Sequence, residues 1–252
     1  LLATITVDKL SLVNLTFSDN PLAAFHPTTV EVTLREGAAG LYAPPTAVSF
    51  SSTCAAAGLA SITPTAYSNL GRATATYTDN GCPSVDNITA SVALNNVLPL
   101  SGTLSITPKT IAPLVFGGVT PTVALSPYAT TTVEATVLDG ALATGDILTV
   151  NFTSTCSEAG RATITSSATT IGDTATVTYN DLGCAGTDTI TASVVNGPTQ
   201  TGTLPVNALT LANISFDSAT PLTAFGSTTI NVDLLDGGNP YTATTKVNFE
   251  SS

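Results

Sequence analysis

Four cysteines are the residues of this 252-residue chain whose spacing most clearly defines a chemistry. Cys54 precedes Cys82 by 28 residues (82 − 54 = 28), and Cys156 precedes Cys184 by the same interval (184 − 156 = 28). A four-thiolate metal site needs closely spaced cysteine pairs, which this chain lacks. The equal intervals therefore favour one disulfide in each half of the chain, and disulfides favour an oxidising, extracytoplasmic setting.

Aspartates follow the cysteines with the same periodicity. Asp79 and Asp86 recur as Asp181 and Asp188, in turns where carboxylates could bind a hard cation such as calcium. Aspartate in an Asp-x-Gly turn more often accepts hydrogen bonds from nearby backbone amides. The four aspartates are thus weak calcium candidates, and the sequence predicts no other metal or cofactor.

Other catalytic or binding chemistry has little support. The single histidine, His26, stands before a proline in a predicted loop, where a surface residue is the better interpretation than a general base. The formal net charge of −11 with only six Lys and Arg residues argues against nucleic acid. No apolar run is long enough to span a membrane. The sequence therefore predicts a protein that is not an enzyme, with no nucleic-acid partner and no membrane insertion.

The elements that position these residues form a repeat. The sequence Val-Ser-Phe-Ser-Ser-Thr-Cys at 48–54 returns as Val-Asn-Phe-Thr-Ser-Thr-Cys at 150–156, a shift of 102 residues (156 − 54 = 102). Alternating apolar and polar residues between turn residues predict short strands, typical of an all-β sandwich. In the first repeat the predicted strands cover residues 10–17, 28–35, 46–52, 59–63, 72–78, 86–93 and 102–107.

The recurring motifs divide the chain into repeats and parts of repeats. The predicted divisions are 1–9, the last strand of a preceding repeat; 10–108 and 109–208, two complete repeats; and 209–252, the first half of a further, truncated repeat. Each cysteine pair would lie at the end of a repeat where the next one begins. With no Gly/Ser-rich spacer between repeats, we expect an elongated, semi-rigid array.

These motifs resemble the group 1 bacterial immunoglobulin-like domains of invasin- and intimin-type surface proteins. The resemblance rests on Val-x-Phe-x-Ser at 48–52, Ala-Gly-Leu-Ala at 57–60 with Ala-Gly-Arg-Ala at 159–162, and Ile-Thr-Ala-Ser at 88–91 and 190–193. It implies tandem immunoglobulin-like Greek-key sandwiches on the cell surface or outside the cell. The tryptophan that antibody domains pack on their disulfide is absent.

Two functions are compatible with these repeats. In one, the repeats pack against other copies of the chain and build a filament, fibre, sheath or surface layer. In the other, they form the stalk of an adhesin that displays a distal binding domain. Charged residues make up only 9% of the chain, and predicted outward strand positions are mainly Thr, Ser and Ala, which favours assembly. Loop-mediated binding of a sugar or receptor lacks a repeated aromatic platform.

Overall fold

Strands dominate the computed structural model, which describes residues 9–37, 40–94, 96–118, 123–140, 142–143, 145–218 and 221–251. The predicted strand at 1–9 lies outside the described residues except for Lys9. The chain divides into two compact units, Leu1–Ile111 with Val137–Gly145 and Val194–Pro198, and Ala112–Thr136 with Asp146–Ser193 and Thr199–Ser252. None of the helices in the described ranges is long and apolar enough to cross a membrane.

The first repeat folds into two packed sheets. Its elements are β1 (Leu10–Phe17), β2 (Leu22–Ala23), β3 (Pro27–Glu36), β4 (Gly40–Leu41), β5 (Ala47–Ser52), α1 (Thr53–Ala56), β6 (Ala60–Ile62), β7 (Thr65–Tyr67), β8 (Arg72–Asp79), β9 (Val85–Ser91) and β10 (Leu100–Thr107). One sheet has the order β1-β3-β8-β6, with β4 on β3, and the other has the order β2-β10-β9-β5-β7. This is an immunoglobulin-like sandwich, as predicted.

The core of this sandwich follows the alternation read from the sequence. Val30, Val32 and Leu34 of β3 are fully buried, and so are Ile88 and Ala90 of β9. The seven predicted strands are all present, with ends displaced by one or two residues. Three additional short strands, β2, β4 and β7, were not predicted because two or three residues are too few to establish a period.

The second repeat forms a sandwich of the same kind. Its elements are β11 (Lys109–Ile111), β12 (Val115–Phe116), β13 (Thr130–Asp139), β14 (Leu142–Ala143), β15 (Thr149–Ser154), α2 (Thr155–Glu158), β16 (Ala162–Ile164), β17 (Ser167–Thr169), β18 (Thr174–Asp181), β19 (Gly186–Val194) and β20 (Thr199–Val206). One sheet has the order β11-β13-β18-β16 with β12 and β14 on β13, and the other has the order β17-β15-β19-β20.

The last part of the chain forms a three-stranded sheet from β21 (Leu209–Phe216), β22 (Ile230–Asp236) and β23 (Asn239–Pro240). Its first strand repeats a detail of β1. Asn14 and Asn213 both have positive φ, 55° and 51°, beside a shift in the pairing register. The two strands therefore have a β-bulge at the same position, since Asn14 and Asn213 also correspond when the repeats are matched by sequence.

Candidate functional site

Each cysteine pair forms a disulfide that joins the two sheets of its sandwich. Cys54 lies in the single-turn helix α1 that follows β5, and Cys82 lies just after β8 of the opposite sheet. Their Cα atoms are 5.8 Å apart, and both side chains are buried. Ser52 caps α1, because its hydroxyl accepts a hydrogen bond of 2.9 Å from the Ala55 amide.

The second sandwich repeats this arrangement with little change. Cys156 lies in α2 after β15 and bonds to Cys184 after β18, again with 5.8 Å between Cα atoms. Ser154 caps α2 by accepting from the Ser157 amide at 3.0 Å. No cysteine of the described chain is free.

A buried aspartate organises the residues around each disulfide. Asp86, at the start of β9, has no solvent exposure, and its carboxylate accepts hydrogen bonds from the Ser52 hydroxyl, the Thr53 hydroxyl (2.6 Å) and the Cys54 amide (3.0 Å). Asp188 makes the equivalent bonds in the second sandwich, at 2.5, 2.7 and 2.9 Å. The carboxylate therefore fixes the helical turn that carries the first cysteine.

The hydrogen bonds also set the charge state of this aspartate. Burial is the largest single influence and raises the pKa of Asp86, but the bonds donated by Ser52, Thr53 and the Cys54 amide together outweigh it. The pKa of Asp86 is consequently below its ordinary value, and that of Asp188 is lowered in the same way. Both groups are anionic at neutral pH.

A tyrosine completes the buried cluster. Tyr77 of β8 is fully buried, and its pKa is raised above the ordinary value by burial first and then by the negative charge of Asp86. Its hydroxyl has no hydrogen bond of regular geometry to any described residue. Tyr179 has the same position and the same direction of pKa change near Asp188. Both phenol groups are therefore uncharged at neutral pH and pack in the interior of their sandwiches.

Asp79, the other predicted calcium candidate of the first repeat, ends β8 and is also buried. One carboxylate oxygen accepts from the amides of Phe25 (2.7 Å) and Gly81 (3.1 Å), and the other accepts from the Cys82 amide (2.9 Å). Asp181 binds the amides of Tyr128 (2.6 Å) and Cys184 (2.8 Å). These are the backbone-amide contacts typical of aspartate in turns.

Potential metal ligands meet in two places among the described residues. The groups are Cys54, Cys82 and Asp86, and Cys156, Cys184 and Asp188. In each group two of the three ligand atoms are sulfurs bonded to each other, so they are not thiolates. The carboxylate in each group already accepts hydrogen bonds from the protein. His26, which the sequence predicts to be a surface residue, is half-buried; its backbone amide donates to the Ala23 oxygen (3.3 Å), and its carbonyl oxygen accepts from the Asp79 amide (3.1 Å).

Sequence reasoning missed the hydroxyl and phenol partners of this cluster. The signal that could have revealed them is a constant interval, because Ser52 precedes Asp86 by 34 residues and Ser154 precedes Asp188 by the same number (86 − 52 = 34; 188 − 154 = 34). The interval alone gives no contact. Only the pairing of β5 with β9 brings the serine to the aspartate.

Comparison of the sequence with known protein families and with curated proteins gives no match. Among solved structures, the chain is similar to the Yersinia pseudotuberculosis adhesin InvE, with 17% identity over 88% of this chain and 66% of that one and a TM-score of 0.41. It is also similar to the Escherichia coli adhesin FdeC (15% identity, 94% and 77% covered, TM-score 0.36) and to domains 5–6 of the S-layer protein SbsC (17%, 79% and 98%, 0.29). A fragment of intimin is similar as well (18% identity, 79% and 66% covered, TM-score 0.35). The solved structures similar to this chain thus include two proteins named as adhesins, a fragment of intimin and domains of an S-layer protein.

Proposed function

We propose that this chain is part of a non-enzymatic extracellular structural protein whose immunoglobulin-like repeats pack against other copies of the chain to build a filament, fibre, sheath or surface layer. The observation that carries the proposal is an uncharged, hydroxyl-covered sheet face on both sandwiches. The two disulfides support an extracellular or cell-surface location, because such bonds persist in oxidising compartments.

The hydroxyl face of the first sandwich is the outward side of β5, β9 and β10. Its residues are mostly Ser and Thr: Ala47, Ser49, Ser51, Val85, Asn87, Thr89, Ser91, Ser101, Thr103, Ser105 and Thr107. Neighbouring strands are linked there by side chains as well as backbone, since the hydroxyls of Thr89 and Ser101 are 2.8 Å apart. The face therefore offers rows of short hydroxyls and no charge.

The second sandwich has the corresponding hydroxyl face on β15, β19 and β20. Its residues are Thr149, Asn151, Thr153, Thr187, Thr189, Thr191, Ser193, Thr199, Thr201, Thr203 and Pro205. Charged residues occur instead on the opposite sheet, where Glu31 of β3 pairs with Arg72 of β8 and Glu134 lies on β13. The absence of charge on one face is thus a property of both repeats.

A face of this composition is suited to burial against another chain. Short hydroxyl side chains lose little rotamer entropy on ordering, and each can donate or accept a hydrogen bond as its partner requires. The chain carries a formal net charge of −11, so two copies repel each other in general. A face without carboxylates is where two copies can approach with the least electrostatic cost.

Charge placed on the hydroxyl face tests the proposal. We expect the oxidised chain to form ordered polymers, as seen by electron microscopy and light scattering. The variant Thr103→Glu/Thr203→Glu should remain monodisperse, because the carboxylates added to one copy would repel those added to the copy packed against it. The matched control, Thr76→Glu/Thr178→Glu, adds the same charge to the exposed opposite sheet and should still polymerise. Equal polymerisation of both variants would contradict an interface on this face.

A semi-rigid stalk of a cell-surface adhesin is the alternative. The short connections between repeats favour it, since only Pro108 separates β10 from β11, and two residues separate β20 from β21. So short a connection restricts the freedom of consecutive repeats. Monodisperse chains at every concentration in the experiment above would favour the stalk over assembly.

A further inference from the structure

A strand covers the outer edge of β10 only at its end. β2 pairs with β10 in parallel at Ile106 and Thr107, and no other described strand lies on that side of the eight-residue β10. β10 contains neither a charged residue nor a proline, the residue types that usually keep a free edge from pairing with another chain. Its edge therefore needs protection of another kind.

The side chain of Asn20 lies along this edge. Its NH₂ group donates to the Thr103 oxygen (3.2 Å), and its oxygen accepts from the Ser105 amide (3.0 Å). Both backbone groups point away from β9, because alternate residues of an antiparallel strand direct their backbone groups to opposite sides. The carboxamide therefore binds the groups that a further strand would use.

A backbone makes the same two bonds in the second sandwich. Leu125 lies opposite Val206 of β20, where its amide donates to the Pro205 oxygen (2.8 Å) and its oxygen accepts from the Asn207 amide (2.8 Å). The bonded groups belong to the residues on either side of the one opposite, as they do at β10. The Asn20 carboxamide thus acts on β10 as a peptide group of a parallel strand would.

The carboxamide also continues the register of β2. Leu22 lies opposite Ile106, and Asn20 and Leu104 lie two residues earlier on the two segments (22 − 20 = 2; 106 − 104 = 2). The Asn20 side chain is exposed, so core packing does not explain its position. Its two bonds to the β10 edge hold it there.

The second sandwich protects the same edge differently. In β20 the residue that corresponds to Ser105 is Pro205 (205 − 105 = 100), which has no backbone amide to leave unpaired. Val123 has the position of Asn20, two residues before the bridging Leu125, and its exposed side chain has no carboxamide. The outward donor is therefore bound in one repeat and absent from the other.

We propose that the Asn20 carboxamide closes the outer edge of β10 against strand addition by a second copy of this chain, and that Pro205 does the same for β20. A strand of another copy is the partner that such an edge fits, because β10 and β20 are both free of charge in a chain whose net charge is −11. Without the carboxamide, the Thr103 oxygen and the Ser105 amide would be open to the backbone of an incoming strand. The proposal concerns strand edges and does not rest on packing of the hydroxyl faces.

A fluorescent peptide with the sequence of β10, residues 100–107, is the probe. It is added to the dilute, oxidised chain, and its binding is measured by fluorescence anisotropy. We expect Asn20→Ala to bind the peptide about tenfold more tightly than the parent, the combined effect of two hydrogen-bonding groups made available. Val123→Ala, the matched change in the second sandwich, should leave binding unchanged, since Pro205 still protects that edge.

The second sandwich also allows the protection to be exchanged. Pro205→Ser introduces a backbone amide like that of Ser105 opposite a position without a carboxamide, so it should tighten peptide binding by about tenfold as well. Val123→Asn, added to Pro205→Ser, supplies the carboxamide and should return binding to the parent value.

Equal peptide binding by the parent and Asn20→Ala would overturn the proposal for β10, as would equal tightening by Asn20→Ala and Val123→Ala. Failure of Val123→Asn to reverse the effect of Pro205→Ser would overturn it for β20. Circular dichroism establishes that each variant is folded. Because the probe is a single strand and the chain is dilute, failure of edge closure and failure of side-by-side assembly are separate results.

Discussion

Replacement of Asp86 by asparagine removes the charge of the buried cluster with almost no change of volume. Three donors point at this carboxylate, the hydroxyls of Ser52 and Thr53 and the Cys54 amide. Hydrogen bonds to charged groups contribute about 1.5–3 kcal/mol each and neutral ones about 0.5–1.5 kcal/mol, so each bond weakens by about 1 kcal/mol. In addition, the asparagine NH₂ group is itself a hydrogen-bond donor, so it could not accept the bonds that these groups donate to the carboxylate. We expect Asp86→Asn to lower the free energy of unfolding by about 3 kcal/mol.

Urea denaturation of the oxidised chain, followed by circular dichroism and tyrosine fluorescence, measures this loss. Asp188→Asn should cost the same in the second sandwich, because its three bonds have nearly the same lengths. Glu31→Gln, which breaks the surface pair with Arg72, should cost less than about 1 kcal/mol. If Asp86→Asn cost no more than Glu31→Gln, the aspartate would not organise the disulfide site.

The pH dependence gives a second check on the same residue. The folded-state pKa of Asp86 is depressed, so its stabilising contribution is present above the unfolded-state pKa of about 4 and is lost as the pH falls through the folded-state value. The stability difference between parent and Asp86→Asn should therefore be constant near neutral pH and shrink below about pH 4. A difference that grows on acidification would contradict the assigned charge state.

Three further outcomes are expected. Cys54→Ala/Cys82→Ala should lower the free energy of unfolding by about 3.5 kcal/mol in the same urea titration, because the unfolded chain regains the conformational entropy that closure of this loop removes. Gly202→Ala, whose Cβ atom would lie 3.0 Å from Leu114, should cost about 1–3 kcal/mol by overpacking, also measured by denaturation. The melting temperature should be equal with calcium and with a chelator, because the four buried aspartates already accept protein hydrogen bonds; an increase with calcium would show that an ion binds.

The strands could be predicted from the sequence because their signals are local and occur twice. Alternation in β3 and β9 is visible within eight residues, and a second copy 102 residues later distinguishes it from chance. The backbone contacts of Asp79 are local too, since Gly81 and Cys82 follow it directly. The role of Asp86 could not be predicted in this way. Its donors come from a strand end 32 to 34 residues earlier, and only sheet pairing unites them.

The burial of these aspartates shows where part of the net charge of −11 is located. Asp79, Asp86, Asp181 and Asp188 are all at least 98% shielded from solvent, so four of the 17 acidic residues lie inside the sandwiches. Lys109 is buried as well, and the hydroxyl faces carry none of the remaining charged residues. The buried carboxylates still contribute to the net charge, so copies repel each other at long range, and the hydroxyl faces are where two copies can meet without placing one carboxylate against another.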